Sequence, residues 1–309
     1  MTATVFIDGG AGTTGLQIAE RLAGRADIAL IRLDEARRKD DAARREALND
    51  ADLVILCLPD DAAREAVSLI GNSRTRVIDA STAHRVAPGW VYGFPEISGR
   101  DAVADARFVS NPGCYSTGFI ALVAPLVKAG LIPAGVLLGC NAVSGYSGGG
   151  KAMIAEFEGP DGAPSAYRSY ALTLAHKHVP EMQQHCGLAE RPLFAPAVVS
   201  VYSGMLVDVP LHAAQLARGT TAESLRAALA SHYAGSAIVT VADDHDDATL
   251  RIELMKDRDD MRLFVFADGS GAQFRLIAAL DNLGKGASGA AVQNLNLMLN
   301  LPETAGLRL

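Results

Sequence analysis

The sequence predicts an α/β fold in which a doubly wound parallel sheet is followed by a second α+β domain of largely antiparallel strands. Strand and helix signals alternate over the first third of the chain, as in repeated βα units of a parallel sheet. A glycine-rich turn separates the first strand from the first helix. Beyond Gly113, short strand signals stand between long connections rich in Gly, Pro and Asp, with few helices. At about 150 residues per domain, 309 residues suffice for about two domains.

Apolar periodicity defines the individual elements. Residues 53–58 (LVILCL) form a continuous apolar run, as expected of a strand buried on both faces of a parallel sheet. The other elements predicted in the first third are strands at residues 4–8, 28–33 and 76–79, and helices at residues 16–22, 40–48 and 62–70. Further along, the predicted elements are strands at residues 135–142, 170–179, 197–210, 238–240, 250–254 and 263–267, and helices at residues 221–233 and 288–299.

Composition restricts the class of protein. Apolar residues make up 49% of the chain and charged residues 20%, and the formal net charge is −7. An acidic chain lacks the basic surface typical of a nucleic-acid binder. The longest apolar run, residues 119–127, has nine residues and contains a proline, whereas a membrane span needs about twenty. We therefore expect no nucleic-acid partner and no membrane contact.

The four cysteines indicate a reducing compartment. Cys57, Cys114, Cys140 and Cys186 are widely spaced without a CxxC pair, which is typical of free thiols. The first strand begins too early to leave room for a signal peptide. We therefore predict a cytoplasmic location. No metal site is predicted, since the acidic run 243–247 is interpreted as a solvated loop, with a metal role as the lesser alternative.

Gly10, Gly12 and Gly15 form the pattern G-x-G-x-x-G between a predicted strand and a predicted helix. The first glycine of such a pattern allows a tight turn, the second a close approach of pyrophosphate, and the third close packing of helix on strand. Free N–H groups at the helix start, here at Thr13 and Thr14, then hold the phosphates. This Rossmann-like arrangement predicts that residues 10–15 bind a dinucleotide.

The end of the second predicted strand bears on which dinucleotide binds. Asp34 lies nineteen residues after the last glycine of the turn, where an acid would bind the ribose diol of NAD. Cations suit the 2′-phosphate of NADP better, and four of them crowd the same place: Arg32, Arg37, Arg38 and Lys39. The cluster favours NADP, with Arg37 and Arg38 as ligands, and a solvated basic helix start is the open alternative.

Cys114 follows the turn Asn-Pro-Gly and precedes a segment with apolar residues at helical spacing. The thiol is therefore expected at a helix N-terminus, where the dipole favours the nucleophilic thiolate. Pro125 within this helix is expected to kink or shorten it. Cys57 and Cys140, which lie in predicted strands, are interpreted as small buried apolar residues. The polar and glycine-rich surroundings of Cys114 make it the candidate nucleophile.

His176 and His178 are predicted to lie on one face of an extended strand, because alternate strand residues point to the same side. Histidine near a cysteine supplies the base that activates the thiol and the acid that protonates a carbonyl oxygen. A metal site with nearby His185 and Cys186 is an alternative, but structural zinc prefers tighter paired spacings. A structural role for one histidine of the pair also stays open.

Two further segments are candidate ligand loops, with an ordinary surface loop as the alternative in each case. Residues 79–85 follow a strand at the carboxyl edge of the sheet, where ligands bind in open α/β folds. Ser81 is assigned to the cofactor, and Arg85, a planar fork for phosphate or carboxylate, to the substrate. Asn111, beside the candidate nucleophile, is assigned to the substrate as well. Residues 143–151 are interpreted as a flexible loop that closes over an anionic substrate, with these ligands: Ser144, Gly145 and Lys151.

Six blocks of sequence cover nearly the whole chain in order: FIDGGAGTTGLQI, YGFPEI, SNPGCYSTG, AVSGYSGGGK, AHKHVPEM and DNLGKGASGAAVQNLNLML. On these blocks the chain resembles the N-acetyl-gamma-glutamyl-phosphate reductases in their shorter, type 2 form. The segments NPGCY and HKHVPE are the most specific. The resemblance implies NADPH-dependent reduction of N-acetyl-L-glutamyl 5-phosphate, a small anionic acyl phosphate, to the semialdehyde and phosphate in arginine biosynthesis.

The resemblance also implies roles for particular residues. Cys114 would displace phosphate to form a thioester, hydride transfer would give the aldehyde, and His176 or His178 would be the acid/base. A Rossmann domain with a returning C-terminal helix is implied at residues 1–113 and 283–309, and a catalytic and dimerisation domain at residues 114–282. The stretch 282–286 is then expected near the cofactor, with Asn282 and Lys285 assigned to bind it. An exposed sheet in the second domain would make the protein a homo-oligomer, either a dimer or a tetramer.

Two alternatives to this function remain. Aspartate-semialdehyde dehydrogenase carries out the same class of reaction on another acyl phosphate, although the HKHVPE block favours the acetylglutamyl enzyme. A non-catalytic Rossmann protein that senses NADP is the alternative from another class. Cys114 distinguishes the sensor from both enzymes, because a sensor needs the glycine turn but no thiolate.

Overall fold

The computed structural model of the protein describes residues 2–34, 37, 40–243 and 249–309. The chain forms two compact units. One comprises Met1–Pro112 and Ala287–Leu307, and the other comprises Gly113–Gly286 and Arg308–Leu309. Each unit is built on its own sheet.

The first unit contains a six-stranded sheet in which all neighbouring strands are parallel. Its elements are the strands and helices β1 Ala3–Asp8, α1 Thr13–Leu22, β2 Ile28–Ile31, α2 Asp41–Asp50, β3 Leu53–Leu56, α3 Asp60–Leu69, β4 Arg76–Asp79, β5 Val91–Tyr92, α4 Pro95–Ser98, α5 Arg100–Asp105 and β6 Phe108–Ser110. The strand order is β2-β1-β3-β4-β6-β5. The C-terminal helix Gly289–Met298 belongs to the same unit.

Strand β3 shows why this sheet is doubly wound. Leu53 and Ile55 join an apolar cluster with α1 and the C-terminal helix, and their neighbours Val54 and Leu56 join a second cluster with α2 and α3. Because successive strand residues point to opposite faces, β3 has helices on both sides and needs an apolar residue at every position. The predicted parallel sheet with a strand buried on both faces is confirmed.

The second unit contains a seven-stranded mixed sheet. Its elements are α6 Cys114–Lys128, β7 Gly139–Gly145, α7 Gly150–Phe157, β8 Tyr167–Ser169, α8 Val179–Cys186, β9 Leu193–Val199, β10 Met205–His212, α9 Ala222–His232, β11 Val239–Val241, β12 Met261–Ala267 and β13 Gln273–Leu280. The order is β11-β12-β13-β10-β7-β9-β8, with only the pairs β11–β12 and β7–β9 parallel. The prediction of largely antiparallel strands is confirmed. The C-terminal helix of the first unit is α10.

Helix α6 continues through Pro125 to Lys128, so a shortening at this proline, one of the two predicted effects, does not occur. Proline has no N–H to donate to the carbonyl four residues earlier, which here belongs to Ala121. The hydroxyl of Tyr233 donates to that carbonyl instead, at 2.8 Å in a buried position. A side chain at the end of α9 therefore supplies the hydrogen bond that the proline omits.

The substitution Tyr233→Phe is expected to lower the free energy of unfolding by about 1–3 kcal/mol, because it leaves the carbonyl of Ala121 buried without a partner. Urea denaturation followed by circular dichroism measures this. Tyr167→Phe is the matched control, since Tyr167 is 57% exposed and its loss should change stability by less than about 0.5 kcal/mol. Equal stabilities of the two variants would contradict the role assigned to Tyr233.

Several predicted elements of the second unit are wrong in detail. Residues 170–178 are turns rather than a strand, residues 252–257 form turns where a strand was predicted at 250–254, and the predicted strand 197–210 spans the end of β9 and the start of β10. The chain turns ahead of α8 at two non-glycine residues with positive φ, Ala171 at 54° and Leu174 at 59°. The exposed Leu172 does not face a core, so the alternating apolar pattern was misleading. Helices α7 and α8 and strands β8 and β13 were missed.

Candidate functional site

Cys114 is the first residue of α6, and the preceding Gly113 is its N-cap. The thiol is not part of a disulfide and is half-buried. The backbone of Gly286 lies directly against it, because a Cβ at position 286 would stand 2.8 Å from the Cβ of Cys114 and 3.0 Å from the carbonyl oxygen of Asp281. Only glycine is compatible with this approach. Gly286 ends the stretch expected near the cofactor, but its contact with Cys114 was not predicted.

Two histidines and two tyrosines form an aromatic cluster in the same unit. The ring centroids of His176 and His178 are 4.7 Å apart, and Tyr115, the residue after the cysteine, lies 6.0 and 5.9 Å from them. Tyr170 packs on His176 at 5.6 Å. The prediction that one strand aligns the two histidines is wrong, but the turn before α8 brings their rings together.

The hydrogen bonds of His176 define which nitrogen carries its proton. Nδ1 accepts from the backbone N–H of His178 at 3.1 Å. In a neutral ring the other nitrogen is then protonated, so Nε2 is the donor, and it lies 3.5 Å from the hydroxyl of Tyr170. Burial raises the pKa of Tyr170, and a negative charge on Cys114 raises it further. The thiol, this tyrosine and His176 therefore belong to one site.

Glu181 links the start of α6 to the histidine turn. Its carboxylate is buried, and Oε2 accepts from the backbone N–H of Gly113 at 3.2 Å. Oε1 lies 4.0 Å from Nε2 of His178, a residue that is itself only 5% exposed. One carboxylate thus fixes the residue before the cysteine and the second histidine. The position of Glu181 in the HKHVPE block was the available signal, but sequence reasoning assigned it no role.

The other three cysteines lie in a different environment. Burial, together with the carboxylates of Asp79 and Asp8, raises the pKa of Cys57 to about 12. Burial also raises the pKa of Cys140 and of Cys186, so all three thiols stay protonated near neutral pH. Cys114 differs from all three in standing at a helix N-terminus, and from Cys140 and Cys186 also in being half-buried rather than buried.

The segment 143–151 is not a loop. Ser144 and Gly145 are the buried last residues of β7, a 3-10 turn follows, and Lys151 stands exposed in the first turn of α7. Gly145 permits close packing, since a Cβ there would lie 2.5 Å from the carbonyl oxygen of Tyr202. The hydroxyl of Ser144 donates to the carbonyl of Gly145 at 3.0 Å.

Asn282 and Lys285, assigned to the cofactor by the resemblance, are both buried in the second unit. The amide of Asn282 accepts from the N–H of Gly204 and donates to the hydroxyl of Ser147, both at 2.9 Å. Lys285 is 1% exposed and lies in a π-helical turn, Gly284–Ser288. Such turns are frequent at functional sites.

In the first unit the glycine turn is shifted by one residue from its predicted start. Gly9, not Gly10, has a positive φ of 83°, and a Cβ on it would lie 2.3 Å from the carbonyl oxygen of Cys57. Gly12 is the N-cap of α1, which Thr13 and Thr14 begin. A Cβ on Gly15 would stand 2.7 Å from the Cα of Gly10. The glycines that geometry requires therefore follow the spacing G-x-x-G-x-x-G.

Of the basic cluster after β2, Arg37 lies on the surface and Arg38 and Lys39 lie outside the described residues. Nη2 of Arg37 is 3.1 Å from the carboxylate of Glu46, and both side chains are more than half exposed. Asp34 accepts from the backbone N–H of Arg37 at 2.8 Å. Its carboxylate therefore caps this turn.

The turn after β4 is organised by a buried carboxylate, Asp79. It accepts from the backbone N–H and the hydroxyl of Ser81, both at 2.8 Å, and lies 2.6 Å from Nδ1 of His84. The ring of His84 stacks on Trp90 at 4.0 Å. The side chain of Ser81 is thus engaged within the turn, and neither Asp79 nor His84 was among the predicted site residues.

Arg85 and Asn111 meet in the first unit. Nε of Arg85 donates to the carbonyl of Asn111 at 3.0 Å, and Nη2 contacts the carbonyl of Ala80 at 3.2 Å. The side chain of Asn111 donates to the carbonyl of Ala287 and accepts from Asn294. Both residues are buried, so backbone and amide contacts hold the predicted guanidinium fork in place.

Metal-binding clusters and membrane-spanning helices are both absent from the part of the chain that the structure describes. Residues 2–34, 37, 40–243 and 249–309 contain no group of three or more His, Cys, Asp or Glu arranged to hold a metal ion. Residues 244–247 of the acidic run lie outside these ranges. Within the same ranges, no helix has the length and apolar character that crossing a membrane requires.

Comparison with protein families identifies the class. Residues 4–106 match the family described as "Semialdehyde dehydrogenase, NAD binding domain", and residues 114–282 match "Semialdehyde dehydrogenase, dimerisation domain". Solved structures of this class share the fold. An aspartate semialdehyde dehydrogenase II from Vibrio cholerae has a TM-score of 0.73 at 17% identity, with 97% of this chain and 99% of that chain covered. One from Francisella tularensis has a TM-score of 0.74 at 13% identity, with 96% and 100% covered.

Curated relatives narrow the class to one family. An N-acetyl-gamma-glutamyl-phosphate reductase from Rhizobium etli is 54% identical over 97% of this chain and 99% of its own length. The N-acetyl-gamma-glutamyl-phosphate reductase 2 of Pseudomonas putida is 52% identical over 99% of both chains. The chain belongs to the N-acetyl-gamma-glutamyl-phosphate reductase family. The resemblance noted from the sequence is confirmed.

Proposed function

We propose that the protein reduces N-acetyl-L-glutamyl 5-phosphate to N-acetyl-L-glutamate 5-semialdehyde and phosphate, a step of arginine biosynthesis, with NADPH as reductant. The observation that carries this proposal is the half-buried thiol of Cys114 at the start of α6, in one site with His176 and Glu181. The names of the curated relatives supply the substrate.

Cys114 is the proposed nucleophile. Its sulfur attacks the acyl carbon, the C–O bond to phosphate breaks, and phosphate leaves with the bonding pair, so that a thioester remains on the chain. The position at the N-terminus of a fifteen-residue helix favours the thiolate through the dipole of the helix. The thioester keeps the acyl group tethered for the reductive half of the reaction.

His176 is the proposed acid/base. In the neutral ring the proton lies on Nε2, because Nδ1 accepts from the N–H of His178. His176 is half-buried and can therefore be reached, whereas His178 is buried. The thiol proton is lost to solvent, because the helix start favours the thiolate. Nε2–H gives its proton toward the carbonyl oxygen as the hydride arrives and takes it back as the intermediate collapses to the aldehyde and the Cys114 thiolate. His178 and Glu181 act as positioning residues that hold the turn and the N–H of Gly113 in place.

The first unit fits a dinucleotide. Gly9 and Gly15 leave no room for a Cβ, and Gly12 caps α1 without a side chain, so the backbone N–H groups at Thr13 and Thr14 are open to pyrophosphate. When bound, the reduced nicotinamide supplies the hydride that the thioester carbonyl accepts. Ser81, Asn282 and Lys285 remain proposed cofactor residues, and NADP remains the proposed cofactor. Contacts to the substrate are proposed for Arg85, Asn111, Ser144, Gly145 and Lys151.

The reaction is tested in reverse, where oxidation of the semialdehyde in the presence of phosphate produces NADPH absorbance. N-acetyl-L-glutamate 5-semialdehyde with NADP and phosphate is expected to give a rate at least about a hundredfold above that with aspartate semialdehyde. A site built for an acetamido group loses hydrogen bonds when the group is absent. Equal rates would favour the aspartate-semialdehyde enzyme, and cofactor binding without turnover on either substrate would favour the sensor.

A homo-oligomer, dimer or tetramer, is also part of the proposal. The matched family of the second unit is described as a dimerisation domain. Apolar side chains stand exposed at and after the edge strand β8, with Tyr167 at 57%, Leu172 at 80% and Leu174 at 62%. An exposed sheet edge with apolar side chains favours pairing with another chain. Light scattering coupled to gel filtration gives the mass, and a monomer would contradict this.

Two further proposals concern organisation and location. We assign dinucleotide binding to residues 1–113 and 283–309, and catalysis and dimerisation to residues 114–282. The two family matches, at residues 4–106 and 114–282, support the division near residue 113. A cytoplasmic location is supported by the four free thiols, which are typical of a reducing compartment. The absence of a nucleic-acid or membrane partner stays a prediction from composition.

A further inference from the structure

A cavity of about 590 Å³ opens beside the glycine turn, entirely within the first unit. It is enclosed by the end of β1 with the turn that follows, the end of β2, the start of α2 and the residues after β3. The wall is largely apolar, with four charged side chains: Asp8, Arg32, Asp41 and Arg44. An apolar pocket with a few charged groups next to a phosphate-binding turn suits the adenosine end of a dinucleotide.

Arg44 is the more buried of the two arginines in this wall. Its side chain is 13% exposed, and Nε donates to the carboxylate of Asp8 at 2.7 Å. The two terminal nitrogens make only longer contacts, 3.4 Å to the carbonyl of Ala62 and 3.8 Å to the exposed carboxylate of Glu65. The strongest bond therefore uses Nε, and the terminal nitrogens can still bind a stronger acceptor.

Arg37, which the sequence favoured as a ligand of the 2′-phosphate, lies in a different environment from Arg44. It does not line the cavity, and its ion pair with Glu46 joins two side chains that are 55% and 64% exposed. Surface pairs of this kind contribute little to binding or stability. Arg44, which the sequence pattern did not single out, is thus better placed than Arg37 to bind a ligand in this cavity.

We propose that Arg44, together with Arg32 at the end of β2, binds the 2′-phosphate of NADP and sets the preference over NAD. This inference rests on the proposed function and assigns its cofactor selectivity to one residue. The 2′-phosphate adds close to two negative charges, and a partly buried guanidinium whose two terminal nitrogens make only long contacts matches its oxygens. Arg44 is held in the wall by Asp8, so little side-chain freedom is lost on binding.

Asp8 is the reason why the loss of Arg44 should affect the binding of NADP and the binding of NAD differently. The carboxylate of Asp8 lines the same cavity and is occupied by Arg44, so it is not available to accept from the hydroxyl groups of the ribose diol of NAD. Removing the guanidinium both deletes the ligand of the 2′-phosphate and frees this acceptor. We therefore expect one substitution to weaken NADP without weakening NAD.

Dissociation constants of NADP and NAD, measured by titration calorimetry without substrate, test the proposal. Arg44→Ala is expected to weaken NADP at least tenfold, about 1.4 kcal/mol, with NAD unchanged or tighter. Arg45→Ala is the matched control, because Arg45 is the next residue of α2, is exposed and does not line the cavity. It removes the same charge and should change either constant less than twofold, as should Arg37→Ala.

Thermal melting without cofactor shows whether each variant is folded. If Arg44→Ala does not melt cooperatively, Arg44→Lys decides, since it keeps the charge but loses the fork and should still lower the preference for NADP. Equal weakening of both cofactors in a folded variant would overturn the proposal, as would loss caused by Arg37→Ala or a wild type without preference. A wild type that prefers NADP through Arg44 but reduces no acyl phosphate would contradict the proposed function alone.

Discussion

Cys114→Ser is expected to lower turnover at least about a thousandfold while leaving the fold and the affinity for NADP unchanged. A serine hydroxyl at the same helix start is not ionised near neutral pH, so neither attack on the acyl phosphate nor the thioester is available. Steady-state rates in the reverse direction measure the loss of activity. Calorimetric titration with NADP and thermal melting measure what should stay the same.

The remaining cysteines are the matched controls for this variant. Serine at position 57, 140 or 186 is expected to leave turnover within about threefold, because none of these thiols is available as a thiolate. Burial and two nearby carboxylates raise the pKa of Cys57 to about 12, and burial raises the pKa of the other two. Substantial turnover in Cys114→Ser, with loss in one of the controls instead, would overturn the proposed mechanism.

Chemical labelling gives an independent measurement of the same claim. Iodoacetamide reacts with the thiolate, so it should modify Cys114 first at neutral pH, and the acyl substrate should protect it. Peptide mapping by mass spectrometry identifies the modified residue. First labelling at Cys57, Cys140 or Cys186 would contradict the proposal that Cys114 is the thiol available as a thiolate.

The elements that sequence reasoning predicted well are those whose pattern reflects burial. Every residue of β3 is buried, as its continuous apolar run predicts. Thr221 caps α9 through the N–H of Ser224, and the predicted helix starts at that residue. In these cases the local sequence pattern and the tertiary environment favour the same secondary structure.

The histidine turn shows where such reasoning fails. Alternating apolar residues at 172 and 174 looked like one face of a strand, but both leucines are exposed. The chain turns there because Ala171 and Leu174 adopt positive φ, a conformation that alanine and leucine do not predict. The two histidines meet all the same, through the bond from the N–H of His178 to Nδ1 of His176.

Site residues that depend on distant contacts were also out of reach. Gly9 is required by the carbonyl of Cys57, and Arg44 is oriented by Asp8, thirty-six positions earlier in the chain. A row of basic residues drew attention to Arg37 because sequence shows charge but not burial. Glu181 lay inside a quoted block, yet its contact with Gly113 spans sixty-eight positions.

The two histidines are expected to respond differently to the same substitution. His176→Asn should lower kcat by about 10²–10⁴-fold, the usual contribution of a general acid/base, with little change in KM. His178→Asn should lower kcat less and raise KM, since His178 supports the turn rather than exchanging the proton. Steady-state kinetics over a range of pH separate the two, because the ionisation of His176 should disappear from the profile only in His176→Asn.

Glu181→Gln and Tyr170→Phe complete this experiment. Glu181→Gln keeps a carbonyl acceptor for the N–H of Gly113, so it should preserve the fold and the pH profile and lower kcat only moderately. Tyr170→Phe removes the hydroxyl that lies 3.5 Å from Nε2 of His176 and should shift the ionisation seen in the profile. A normal kcat in His176→Asn, with a lost ionisation in His178→Asn, would reverse the two roles, and normal kinetics in both would remove the histidine turn from the mechanism.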